Sequence, residues 1–198
     1  MGPDNWIMDL SCSLTEYFHE AVTTALERRQ VETADLTEFY LVNLLSAYTG
    51  RTQFDEKPMA LKLAEALDMS GVEERAQRLR EVGDTSLYMS GFFAENLERR
   101  MMDLDYYCEL GGAAYRRLSQ IARFSREASF GQAYSELSDK FRALVGVLND
   151  ISEQHSMTTP TGMMRLCERW SRTRDDELGR KLRAAGVLVA ASKKGDQS

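Results

Sequence analysis

The chain has 198 residues, of which 43% are hydrophobic and 28% are charged, and its formal net charge is −6 at pH 7. This length and composition are sufficient for one globular domain with a sizeable core. A mean hydropathy of −0.42 is typical of soluble globular proteins. The isoelectric point near 5.1 argues against a dedicated nucleic-acid binder, for which an isoelectric point above about 9 is usual. No stretch approaches the roughly 18 consecutive apolar residues of a membrane span.

The pattern of the chain predicts an all-α fold. Only three prolines occur, at positions 3, 58 and 160, and apolar residues recur at helical spacing with almost no β-type alternation. We therefore expect a single-domain multi-helix bundle of about seven or eight helices. Its expected parts are an N-terminal arm (residues 1–12), the bundle (residues 13–186) and a flexible C-terminal tail (residues 187–198).

The first half of the chain contains several helix-start and helix-stop signals. Ser13 and Glu16 have the spacing of a capping box, which predicts that the first helix begins there. A second helix is expected over about residues 34–48, and Pro58 suits the first turn of a third. A fourth is expected over residues 72–82, because Gly83 follows it.

Residues 80–118 concentrate aromatic residues and glycines, and we expect the other helices to pack around them. Asp84 can cap a helix that begins at Thr85, because its carboxylate can accept free backbone N–H groups. The apolar spacing continues to about residue 121. Glycine costs roughly 1 kcal/mol inside a helix relative to alanine, so we expect a break within residues 93–103 and a new start at Asp103.

The sequence GDTSLYMSGFF that begins at Gly83 and the sequence DLDYYCELGGAAY that begins at Asp103 resemble parts of an uncharacterised family of bacterial all-helical proteins of about 200 residues. The sequence YLVNLLSAY, which begins at Tyr40, resembles that family too. The resemblance implies a bacterial, all-helical, single-domain protein. It implies no activity, cofactor or catalytic residue.

The cleanest amphipathic pattern follows the central stretch and predicts one helix. Its apolar positions alternate steps of four and three: Phe130, Tyr134, Leu137, Phe141, Leu144, Leu148 and Ile151. Such a seam can face the core or a second subunit, and bundle packing favours the core. A loop is expected over residues 155–159, a helix start at Pro160 and the end of the last helix at Gly186.

Metal and nucleophile chemistry find little support. Glu16 and His19 have the ExxH spacing of carboxylate-bridged di-iron proteins, but those need two such motifs, and the chain has only two histidines. Cys108 lies on an apolar stripe, where a small buried hydrophobe is the simpler interpretation. We therefore predict no catalytic residue, metal or cofactor. The three cysteines form no CxxC pair, which favours reduced thiols and a cytoplasmic location.

Six residues of the central stretch are candidates for ligand or partner binding: Asp84, Tyr88, Phe92, Tyr106, Tyr107 and Tyr115. Aromatic rings with a polar tip suit a small-molecule pocket or the centre of an interface. They also suit a core whose hydroxyl groups reach polar partners, and this is the simpler interpretation.

Charge is distributed unevenly along the chain. From Arg165 onward there are nine Lys or Arg against five Asp or Glu. This predicts a basic surface formed by Arg172, Arg174, Arg180, Lys181 and Arg183, which can meet an acidic protein, nucleic acid or an anionic surface. The simplest alternative is that these residues pair with acidic helices of the same molecule.

Together these patterns favour a non-enzymatic regulatory or adaptor module that acts through protein–protein contacts or self-association. Nucleic acid and membranes are disfavoured as partners. The alternative is a helical small-molecule-binding protein or enzyme with a pocket between the aromatic central helices. A pocket of that kind is expected to be lined by the tyrosines of residues 80–118.

Overall fold

The computed structural model describes residues 4–48, 55, 57–92, 104–122, 128–158 and 160–187. Within these ranges the chain forms nine α-helices, one 3-10 turn and no strand, which confirms the all-α multi-helix prediction. The helices are α1 (Asp4–Arg29), α2 (Asp35–Tyr48), α3 (Met59–Asp68), α4 (Val72–Phe92), α5 (Leu104–Ala122), α6 (Gly131–Asp139), α7 (Phe141–Thr158), α8 (Pro160–Thr173) and α9 (Asp176–Ala184).

The chain divides into two compact units, Met1–Asn149 and Asp150–Ser198. In the first unit α4 packs most extensively against α5, and α5 packs against α6, while α1 lies on α2 and α3 on α4. The two helices of the central stretch therefore dominate the packing of this unit. In the second unit α8 contacts α9, and a small apolar core forms from Leu166, Trp170, Leu178 and Leu182.

The predicted amphipathic seam is buried but does not form one helix. Its buried members are Tyr134, Leu137, Phe141, Leu144, Leu148 and Ile151. The 3-10 turn Ala128–Phe130 precedes α6, and Lys140 separates α6 from α7 with φ −103° and ψ 14°. Hydrogen bonds from Lys140 N–H to the Glu136 carbonyl and from Leu144 N–H to the Lys140 carbonyl bridge this kink. The apolar spacing therefore continues across it.

Two predicted helix starts are wrong. The capping box at Ser13 lies inside α1, which begins at Asp4, because no glycine or proline interrupts the sequence between them. Residues 4–12, predicted as an arm, belong to this helix. Gly83 and Asp84 lie inside α4, which continues to Phe92. Packing against α5 outweighs the small helix cost of one glycine.

The C-terminal boundaries are partly as predicted. Pro160 opens α8, whereas the loop expected before it is helical to Thr158. Gly186, with φ +84°, closes the last helix, because positive φ is without strain only in glycine. The break expected within residues 93–103, the start expected at Asp103 and most of the predicted tail lie outside the described residues.

Gly111 permits the close approach of α5 to its neighbours. A Cβ atom there would overlap the ring of Phe141 and lie 2.7 Å from the Cβ of Ser86. At the next residue, Gly112, the nearest atom to an added Cβ would be the Ser138 carbonyl oxygen, at 3.8 Å. Of these adjacent glycines, only Gly111 is required by packing.

We expect Gly111→Ala to destabilise the protein by about 1–3 kcal/mol, because the core must shift to admit the methyl group. Gly112→Ala should be neutral or stabilising by up to about 1 kcal/mol, since it gains helix propensity without a clash. Urea denaturation of both variants measures the difference. Equal effects would contradict this account of the packing.

Glu136 on α6 caps the start of α2. Its Oε2 atom accepts hydrogen bonds from the Ala34 backbone N–H at 3.0 Å and from the Thr37 hydroxyl at 2.8 Å. Burial by itself raises the pKa of Glu136, but these two hydrogen bonds outweigh burial, and the pKa lies below its usual value. A carboxylate from one helix thus binds the backbone N–H just before another helix and a hydroxyl in the first turn of that helix.

Glu136→Gln should cost about 0.5–2 kcal/mol at neutral pH, the usual range for loss of a cap. Because the folded pKa is depressed, the stabilisation is complete above the unfolded value near 4.5. It is lost as the pH falls through the folded pKa. Denaturation at neutral and acidic pH should therefore show the difference from wild type shrinking in acid. Asp139→Asn, at an exposed site on the same helix, is the control, and a pH-independent difference would contradict the mechanism.

Candidate functional site

Asp84 and two tyrosines tie three helices together. Asp84 lies half-buried in the middle of α4. Its Oδ1 atom accepts hydrogen bonds from the hydroxyl of Tyr40 on α2 at 2.5 Å and from that of Tyr115 on α5 at 2.7 Å. Asp84 is therefore an interior hydrogen-bond acceptor rather than the predicted helix cap. Hydrogen bonds to a charged group are about twice as strong as neutral ones.

Aromatic rings surround this carboxylate. Tyr115 stacks on Tyr134 with ring centroids 6.4 Å apart, and Tyr40 meets Tyr134 edge-on at 5.6 Å. The guanidinium of Arg80 lies 5.8 Å from the centroid of the Tyr134 ring. We call Tyr40, Asp84, Tyr115 and Tyr134 the tyrosine–aspartate cluster. Tyr115 and Tyr134 are 0% and 1% exposed, so the cluster belongs to the core.

The pKa values of the cluster favour a structural role. Burial, and then the negative charge of Asp84, raise the pKa of both the Tyr40 and the Tyr115 hydroxyl well above the usual value for tyrosine. Both hydroxyls therefore remain protonated donors near neutral pH. A group that holds its proton so strongly is poorly suited to general acid or base catalysis at that pH.

The other predicted aromatic residues lie in two further places. Tyr88 stacks on Phe92 and lies 5.0 Å from the ring of Tyr48. Tyr107, which is buried, meets Tyr106 edge-on at 5.5 Å. The structure thus brings together Asp84 and Tyr115, but it does not gather all six predicted residues around one site.

Tyr106 holds the first turn of α3. Its hydroxyl accepts the backbone N–H of Ala60 at 3.1 Å, one of the donors that a helix start leaves without an intrahelical partner. On the inner face of α3, Met59 and Ala66 are buried. The predicted residue Tyr106 therefore positions a helix at the surface of the unit.

The outward side of α3 exposes four apolar residues, with the acid Asp68 beside them. The four are Ala60, Leu61, Ala64 and Leu67, which we call the α3 surface. Leu61 is 48% and Leu67 42% exposed, and Val72, at the start of α4, is 57% exposed. Sequence reasoning missed this surface, because it predicted only that a third helix starts near Pro58 and assigned none of its apolar residues to a buried or an exposed face.

A cleft of about 350 Å³ lies on the other side of α3. Its described lining includes Tyr48, Ala66, Val82 and Thr85. Three ion pairs also line it: Lys57 with Glu65 at 2.5 Å, Lys62 with Asp55 at 3.1 Å, and Arg78 with Glu81 at 3.0 Å. None of the predicted pocket tyrosines belongs to this described lining.

The predicted basic surface, which lies in the second unit, divides into two groups. Lys181 bonds to Glu153 at 2.7 Å, and Arg174 lies over the ring of Trp170 at 4.5 Å. Burial lowers the pKa of Lys181, but the hydrogen bond and charge of Glu153 outweigh it and the pKa is raised. The remaining three, Arg172, Arg180 and Arg183, are exposed.

The described residues include no cluster of three or more His, Cys, Asp or Glu side chains that could hold a metal ion. Where the helices are described, none is long and apolar enough to cross a lipid bilayer. No family model, curated protein or solved structure matches the chain.

Tyr40→Phe and Tyr115→Phe should each cost about 1.5–3 kcal/mol, because each removes a hydrogen bond to a half-buried carboxylate. Tyr106→Phe should cost less, about 0.5–1.5 kcal/mol, since its partner is a neutral amide. Urea unfolding at neutral pH measures all three. If Tyr106→Phe is as damaging as the other two, the Asp84 interactions are not the stronger ones.

Proposed function

We propose that the chain is a non-enzymatic regulatory or adaptor module that acts through protein–protein contacts in a bacterial cytoplasm. The observation that supports this proposal most directly is the α3 surface, which exposes Leu61 and Leu67 together with two alanines. Covering apolar side chains removes them from water and is favourable. Contiguous exposed apolar surface is typical of interaction sites.

The tyrosine–aspartate cluster also supports a protein-contact function, because it weakens the case for a ligand site among the aromatic residues. Its rings pack on one another, and its two strongest donors are committed to Asp84. A side chain whose polar atom is engaged in the core has little capacity to recognise a ligand. Recognition is then more plausibly a property of the surface.

The α3 helix is well held as a recognition element. Tyr106 accepts a hydrogen bond from its first turn, and Lys57, just before the helix, forms an ion pair with Glu65 at 2.5 Å. After its last turn, the Arg75 Nε donates to the Met69 carbonyl at 2.8 Å. A surface that is already ordered pays less entropy on binding.

Small-molecule binding is the second candidate, and the cleft beside α3 is the observation that favours it. Its volume of about 350 Å³ lies at the lower end of the range for ligand pockets. A ligand there would meet side chains that already form ion pairs. It would raise the melting temperature by binding only the folded state.

The adaptor proposal is tested by placing a photo-crosslinking phenylalanine derivative at Ala64 of the full chain in its source organism. We expect one dominant adduct, identified by mass spectrometry, because Ala64 is central to the α3 surface. Adding Leu67→Asn should reduce the adduct roughly tenfold, the effect of losing about 1.4 kcal/mol of contact energy.

The control carries the same derivative at Gln120, an exposed position on α5. Circular dichroism should show that both labelled chains are folded. Equal adducts at the two positions, or no loss with Leu67→Asn, would contradict a contact through α3.

A further inference from the structure

Carboxylates border the exposed apolar residues where α3 meets α4. Asp68 lies on the last turn of α3, and Glu73 and Glu74 lie on the first turn of α4. All three are exposed. We call them the acidic corner. Only a short connection, residues 69–71, separates the two helices here, so Leu67 directly precedes Asp68 and Val72 directly precedes Glu73 along the chain.

Cations near the acidic corner are already engaged. The Arg75 side chain donates to the carbonyl of Met69, and Arg78 pairs with Glu81 at 3.0 Å. Within the described residues, no ion pair joins Asp68, Glu73 or Glu74 to a cation. Arg75 keeps its positive charge, because a neutral carbonyl does not offset it, but the three carboxylates of the acidic corner outnumber it, so the local charge around Leu67 and Val72 is negative.

We infer that the α3 surface and the acidic corner together dock a basic amphipathic helix of a protein partner. This inference rests on the proposed function and names its partner class. Leucines and alanines on one helix face offer the apolar half of such a contact. The carboxylates offer the charged rim, which would meet lysine or arginine side chains.

The same charges disfavour the other occupants. Nucleic acid and anionic lipid surfaces carry negative charge and would be repelled by the acidic corner. A second copy that presented the same face would bring like carboxylates together, which costs free energy at an interface. A basic helix alone among these satisfies both the apolar and the charged parts of the surface.

The size of the surface sets the expected strength. A ten-residue helix such as α3 is about 15 Å long, so the contact is smaller than a standard interface of about 1,600 Å². We therefore expect a dissociation constant in the micromolar range. The affinity should fall as salt screens the rim charges.

The test uses fluorescence anisotropy with the full chain and a labelled amphipathic peptide of about 18 residues, or roughly five helical turns, built from leucine and lysine. A peptide with glutamate in place of lysine is the first control. We expect micromolar binding of the lysine peptide, weakening with salt, and at least about tenfold weaker binding of the glutamate peptide. Equal binding of the two peptides would overturn the inference.

Variants separate the site from the acidity of the whole molecule. Leu67→Asn, and separately Asp68→Asn combined with Glu73→Gln, should each weaken binding about tenfold. Neutralising two exposed acids elsewhere, with Glu20→Gln combined with Glu109→Gln, should change it less than about twofold. An equal loss with this matched control, or no loss with Leu67→Asn, would contradict the inference. Circular dichroism and melting temperature verify that each surface variant is folded.

The crosslinking at Ala64 distinguishes this inference from the proposed function. An adduct whose attached segment is a basic amphipathic helix supports both. An adduct with an acidic segment or with a second copy of the chain would overturn the inference while preserving a protein-contact function. The absence of any position-specific adduct would contradict the function itself.

Discussion

The half-buried carboxylate of Asp84, in the middle of α4, constrains the arrangement of the first unit. Removing part of a charge from water is costly unless strong hydrogen bonds compensate it. Tyr40 and Tyr115 supply those bonds from two other helices. Any movement of α2 or α5 along α4 would separate a hydroxyl from the shared oxygen. The register of three helices therefore depends on one side chain.

Gly83 makes this arrangement sterically possible. A Cβ atom at that position would lie only 2.7 Å from the Tyr115 ring, so only glycine lets the ring lie against α4 with its hydroxyl on Asp84. Gly91 and Gly111 show the same requirement, because a Cβ atom would overlap Leu148 at Gly91 and Phe141 at Gly111. Each glycine loses some helix propensity but permits large side chains of neighbouring helices to fill the space. These three glycines of the central stretch are thus packing positions rather than helix breaks.

Sequence reasoning recovered what depends on local signals. The helical class follows from apolar spacing, and Pro160 and Gly186 mark helix ends because their backbone preferences act within one or two residues. Asp84 and Tyr115 were both selected as candidates, but their contact spans 31 residues and depends on how α4 packs on α5. The local reading of Gly83 and Asp84 as a helix start concealed that contact. Arg80, four residues before Asp84, was the available signal that both side chains lie on one face of a continuous helix.

The same distinction explains why the surface was harder to predict than the core. An apolar residue on a short helix is expected inward, and the sequence of α3 contains apolar residues on both sides. One side of α3 is covered, because Met59 and Ala66 are buried. The other side, with Leu61 and Leu67, is exposed. Which side is covered depends on tertiary contacts such as the bond between Tyr106 and Ala60. Tyr106, an aromatic residue of the central stretch, therefore helps to determine which face of a neighbouring helix remains in solvent.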